Sequence, residues 1–157
     1  MKSRLLFMLI TTAAVLLQGY FFSGLLSAAL APSLVTIALY AASARFSLRF
    51  VLILGAWTGM LMGAVSLHAF GLYVLAGMLT ASLIYWLRSK QFTAGSFVST
   101  TLILSLAVFF HSTLIMVVVR FPSMHVGLFQ SFVSSIGVVV TTLIFAWFID
   151  KLVQLEV

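Results

Sequence analysis

The sequence predicts an all-α, polytopic membrane protein with six transmembrane helices, and three observations carry that prediction. Of the 157 residues, 64% are hydrophobic and only 6% are charged, giving a mean hydropathy of +1.29. A soluble domain is about 25% charged, so this chain could not keep its surface wet. Apolar runs near the length of about 20 residues that a bilayer requires recur six times, at 5–22, 26–44, 50–67, 70–87, 94–119 and 127–149. The basic residues fall between these runs as punctuation: Lys2 and Arg4, Arg45 and Arg49, Arg88 and Lys90, Arg120, and Lys151. The loops are short, so residues 1–157 read as a single integral membrane domain.

The first run, 5–22, follows Lys2 and Arg4 and is interrupted in its outer part by Gln18. Together with Ala29-Leu30-Ala31 it has the outline of a signal peptide, but its 18 residues exceed the usual apolar core of such a leader. It is read as a retained span. The second run begins with small residues and carries Pro32, so its outer end is expected to be irregular or re-entrant. The third places Gly55, Gly59 and Gly63 at intervals of four and ends near Ser66. The fourth follows a short outer loop with Gly71. The fifth is long and should tilt or protrude, and the sixth leads into Asp150 and Lys151.

Orientation follows from the basic residues. With the N-terminus in the cytoplasm, seven of the eight lysines and arginines lie on the cytoplasmic side and only Arg120 lies opposite. The positive-inside rule therefore puts both termini in the cytoplasm. Tyr20, Tyr40, Tyr73, Tyr85, Trp86 and Trp147 fall near span ends, as an interfacial aromatic belt requires.

The same census excludes several functions. The net charge of +6 is spread in pairs between spans, which is neither a nucleic-acid patch nor a basic amphipathic face. With no cysteine there is no disulfide framework and no thiolate metal site. The acidic residues Asp150 and Glu156 both lie at the C-terminal end, and only His111 is an ionisable group deep in a span. Ion-coupled transporters keep such groups inside the membrane. His68, His111 and His125 all fall toward the non-cytoplasmic side, without an i, i+4 pair or an intramembrane carboxylate to orient them. They read as interfacial histidines rather than metal or haem ligands. Ser112 adjoins His111, but neighbours on a helix face about 100° apart. No G-x-S-x-G, P-loop or Rossmann glycine pattern is present. The frequent Ser and Thr residues suit backbone bonding and interhelical contacts. No enzyme, cofactor or metal is expected.

The glycines need a reason, since each costs about 1 kcal/mol against alanine within a helix. At about 100° per residue, Gly55, Gly59, Gly63 and Ser66 share one stripe about 80° wide. Such a stripe admits another helix closely. Packing within the bundle, docking of a partner helix and the wall of a ligand pocket all remain open at this level.

The order of features resembles a known family. Leu16-Leu17-Gln18 closes the first span and Pro32 opens a second of the form PSLVTIALY. Arg49 follows, then Gly55-x3-Gly59-Met-Leu-Met-Gly63-Ala64, then Gly71 and Leu75-Ala76. Over residues 10–90 this resembles the rod shape-determining membrane protein MreD; over 91–157 only hydropathy agrees. The resemblance marks Leu17, Gln18, Pro32 and Gly71 as family-matching positions. It implies a fold related to the substrate-binding S components of energy-coupling-factor transporters. It also implies a non-enzymatic scaffold of the bacterial cell-elongation machinery in the inner membrane. The implied partner is MreC, a single-span protein, and beyond it the cell-wall glycan polymerase and transpeptidase. One departure stands out: where the family commonly carries an acid, this chain has Val65-Ser66-Leu67-His68. The alternative is an S component of a vitamin or metal transporter. Those proteins commonly dock through small-xxx-small alanines on the first helix, whereas here Ala13 and Ala14 are followed four residues later by Leu17 and Gln18.

Overall fold

A computed structural model describes residues 2–22, 32–66, 70–90, 97–120 and 128–155, and the regular structure among them is entirely helical. Helix α1 (Lys2–Leu16) runs directly into a π-helical turn (Leu17–Phe22). It is followed by α2 (Leu34–Ser43), α3 (Leu48–Ser66), α4 (Phe70–Lys90), α5 (Phe97–Arg120) and α6 (Leu128–Leu155). Among the described residues, Ser3–Phe21, Leu48–Val65 and Gly71–Ser89 are long and apolar enough to cross a membrane. Leu34–Ser43, Ser99–Ile115 and Val133–Trp147 form shorter apolar segments.

Helices α3, α4 and α5 occupy the third, fourth and fifth apolar runs with small shifts at their ends. Helix α6 continues six residues past its run, through Asp150 and Lys151, to Leu155. The second run differs most. Its described helix has only ten residues, about 15 Å at 1.5 Å per residue, roughly half of a 30 Å hydrocarbon core. The physical reason is Pro32, which cannot donate to a helical ladder and stands outside the helix, one residue before the N-cap Ser33. A tight turn follows it, with the Leu34 N–H donating to the Pro32 carbonyl at 3.0 Å and the Thr36 N–H to the Ser33 carbonyl at 3.1 Å. Residues 26–31 of the expected span lie outside the described residues.

This short helix is the centre of the bundle: α2 touches α1, α3, α4, α5 and α6. The most extensive helix contact is between α3 and α4. Val35, Leu39, Leu54, Ile84 and Ala107 form the buried heart of the core. The outer faces remain apolar, with Leu5 65%, Ile53 57%, Leu75 55% and Ile144 59% exposed. In water these faces would drive aggregation; in lipid they are the normal exterior.

Small and hydroxylated residues lie inside. Thr11, Thr36, Thr58, Thr80 and Thr142 are buried, as interhelical packing in lipid favours. Several hydroxyls first satisfy their own helix: Thr11 donates to the Phe7 carbonyl, Thr58 to Gly55, Thr80 to Ala76 and Thr142 to Val138. Trp57 Nε1 donates to Thr12 Oγ1 at 3.0 Å, which joins α3 to α1.

Candidate functional site

The glycine stripe of α3 lies against α4. A Cβ placed on Gly55 would come within 2.6 Å of the Gly77 carbonyl oxygen and 2.8 Å of Ala81 Cβ. One on Gly59 would meet the Tyr73 carbonyl and lie 2.7 Å from Val74 Cα. The relation is reciprocal, since a Cβ on Gly77 would run into the Gly55 carbonyl. These neighbours are mostly backbone atoms, which cannot rotate aside as side chains do. Three glycines therefore hold two helix backbones against each other. Gly63 is buried further along the same helix. Ser66 ends α3, but its side chain lies outside the described set. Gly71 is exposed and would have nothing within 4 Å of an added Cβ, so it belongs to no close contact.

Gly77 was not among the residues the sequence singled out. The signal was present as Gly77-x3-Ala81, a small-xxx-small pair on the fourth span.

A second polar constellation surrounds the start of α2. A helix that begins inside a bundle leaves its first N–H groups without intrahelical acceptors, and lipid cannot supply them. Here the acceptors come from other helices. The Ser33 N–H donates to Thr142 Oγ1 of α6 at 2.8 Å. The Val35 N–H donates to Gln18 Oε1, on the π-helical turn after α1, at 3.3 Å. Ser33 Oγ and Thr36 Oγ1 bond each other at 2.6 Å. The polar Gln18 in an otherwise apolar run thus acts as an acceptor for a neighbouring helix. Leu17 beside it is 48% exposed and takes no part, while Pro32 is buried at the same place.

The third constellation corrects an expectation. His111, expected near the headgroups, is buried among the helices, with Nδ1 3.0 Å from Thr80 Oγ1 of α4. The Thr80 hydroxyl lies 2.8 Å from the Ala76 carbonyl; with its proton there, His111 Nδ1–H is the donor to Thr80. In the neutral ring that tautomer leaves Nε2 as an acceptor, and that atom is buried without a hydrogen-bond partner among the described residues. The environment that sequence reasoning missed is the inward face of α4, where Tyr73, Ala76, Gly77, Thr80 and Ala81 are all buried. His68 and His125 lie outside the described residues. Among the described residues, no three His, Cys, Asp or Glu side chains gather as metal ligands would.

What this arrangement does chemically is hold helices at fixed spacing and supply acceptors to buried donors. Compared with protein-family models, curated proteins and solved structures, the chain matches none.

Proposed function

We propose that this chain crosses the bacterial inner membrane six times, with both termini in the cytoplasm, and serves as a non-enzymatic scaffold of the cell-elongation machinery. In that role it retains an MreC-like single-span protein in the membrane and, through it, the glycan polymerase and transpeptidase of cell-wall synthesis. The observation that supports the reading is that two stretches behind the resemblance, the one ending in Gln18 and the one opening at Pro32, meet. Gln18 supplies an acceptor to α2 just beyond Pro32, and a Cβ on Gly19 would lie 3.3 Å from Val65 Cγ1, two residues past Gly63.

A scaffold needs a stiff body and an apolar exterior that another helix can lie against. Backbone contact along Gly55, Gly59 and Gly77 supplies the first, and the exposed leucines and isoleucines of the outer faces supply the second. Since Gly55 and Gly59 face α4, a partner helix is offered the outer faces rather than that stripe. Depletion of the protein from its own bacterium should turn rods into rounded cells, and a wild-type copy should restore them. Unchanged rods after complete depletion would defeat the reading.

One observation favours the S-component alternative: His111 Nε2, in the bundle interior and without a partner among the described residues, is an acceptor for a small polar ligand. Thermal-shift screening against thiamine, riboflavin, biotin, folate and nickel separates the two. A saturable shift favours the transporter; no shift favours the scaffold.

A further inference from the structure

A cationic recess of about 370 Å³ opens where α2 turns into α3, beside the last turn of α4. Ser43, Arg45, Phe46, Tyr85, Arg88 and Ser89 line it. Arg88 is partly buried and held in place. Its Cζ lies 5.3 Å from the centroid of the Tyr40 ring, and the Tyr40 hydroxyl is fixed in turn by Thr100 Oγ1 of α5 at 3.0 Å. Yet Arg88 Nη1 is buried with no hydrogen-bond acceptor among the described residues. A buried donor left unsatisfied is costly, and more so when it is charged. No carboxylate appears among the described lining residues, and the whole chain has only two acidic residues against eight basic ones. Among the described residues nothing completes this guanidinium, which leaves a charged donor for an external acceptor.

We infer that the recess binds a phosphate group of net negative charge, supplied by the headgroup of an anionic phospholipid. The donor set points to this chemistry. Both serine hydroxyls are committed to their own helices, Ser43 to the Tyr40 carbonyl at 2.7 Å and Ser89 to the Trp86 carbonyl at 3.0 Å. The guanidinium groups of Arg45 and Arg88 remain, and their planar forks match phosphate oxygens. The recess sits at helix ends whose carbonyls disfavour an anion. The α2 end is partly neutralised, because Ala41 and Ala42 carbonyls accept from the N–H groups of Ala44, Arg45 and Phe46. The positive charges of Arg45 and Arg88 outweigh what remains. The half-exposed Trp86 and the flanking tyrosines place the recess at the depth where aromatic belts and headgroups meet, and basic pockets between helices there suit anionic lipids. The inference does not depend on which partner the scaffold holds.

The test is melting of the full chain in neutral detergent, at constant ionic strength, with three probes: dihexanoyl-phosphatidylglycerol, dihexanoyl-phosphatidylcholine and inorganic phosphate. Phosphatidylglycerol should give saturable stabilisation and phosphatidylcholine should not. Arg45→Gln should weaken the apparent affinity by about tenfold or more, as loss of one charge-assisted contact does, and Arg88→Gln should abolish it. Arg49→Gln, exposed and outside the recess, should leave it unchanged. Saturable stabilisation by inorganic phosphate as strong as by phosphatidylglycerol would keep the anion site but overturn the lipid as its source. Equal stabilisation by phosphatidylcholine, no saturable shift with any probe, or full affinity in Arg45→Gln would overturn the inference. If Arg88→Gln does not fold, Arg45→Gln decides.

Discussion

Gly59→Ala adds one methyl group where the α3 and α4 backbones meet. That carbon would stand 2.7 Å from Val74 Cα and press on the Tyr73 carbonyl. Ordinary carbon–carbon contact begins near about 3.5 Å, so the helices must separate by roughly 0.8 Å. A gap of that size forfeits about a quarter to a half of each dispersion contact along the seam. Overpacking of this kind costs about 1–3 kcal/mol, and the better helix propensity of alanine returns at most about 1 kcal/mol. Because the opposing atoms are backbone and cannot rotate aside, the cost falls at the upper end, and the net loss is about 2 kcal/mol, a fall in melting temperature of roughly 4–8 °C for a chain of this size. The control is Gly71→Ala, where nothing lies within 4 Å of the new carbon; its melting temperature should hold or rise slightly. Gly77→Ala should behave like Gly59→Ala, and the double variant should lose less than the two losses combined, because one separation relieves both. Equal melting of Gly59→Ala and Gly71→Ala would refute the seam.

Other outcomes follow from the polar contacts and the topology. Thr142→Val removes the acceptor of the buried Ser33 N–H and should destabilise by about 1–3 kcal/mol, read by the same melting assay; Gln18→Leu, whose bond is longer at 3.3 Å, should lose less. Thr80→Val strips the only hydrogen-bond partner seen for His111 and should melt lower than Thr80→Val/His111→Leu, because removing both partners is nearly neutral. On the non-enzymatic reading that double variant should also keep rod shape in complementation, and a folded but inactive protein would argue for chemistry at His111. Single cysteines at Ser23, Ala69 and Ser123 should label from outside with an impermeant maleimide, and those at Ser47, Ser89 and Gln154 only after permeabilisation. The reverse pattern at two or more sites would overturn the orientation.

Much of the helical layout was legible because length and hydropathy alone delimit apolar runs. Which side of each run turns inward was not legible from hydropathy. Leu54 is fully buried while its neighbour Ile53 is 57% exposed, and the two are almost equally apolar. In lipid the exterior is as hydrophobic as the core, so apolar periodicity loses its meaning. Size and polarity carry the information instead. Gly55, Gly59, Thr58, Thr80 and Thr142 all lie inside, and the first two were singled out by spacing. Gly77 escaped notice because its partner residue is Ala81 rather than another glycine. Pro32 marked the outer end of the second run as irregular, and the helix begins only at Leu34, but the sequence did not say how the freed N–H groups are satisfied. The acceptors, Gln18 and Thr142, lie 17 and 109 residues away from the donors they serve. His111 was legible as a group in the outer half of its span, but not its packing, which depends on Thr80 arriving from α4.

The scaffold reading is tested most directly by affinity purification of the protein from its native membranes in mild detergent, with mass spectrometry of everything retained. The account predicts enrichment of a single-span membrane protein with a large periplasmic part, accompanied by cell-wall polymerase and transpeptidase. Enrichment of an ATP-hydrolysing transport module with a bound vitamin-sized molecule, and no single-span partner, would contradict it.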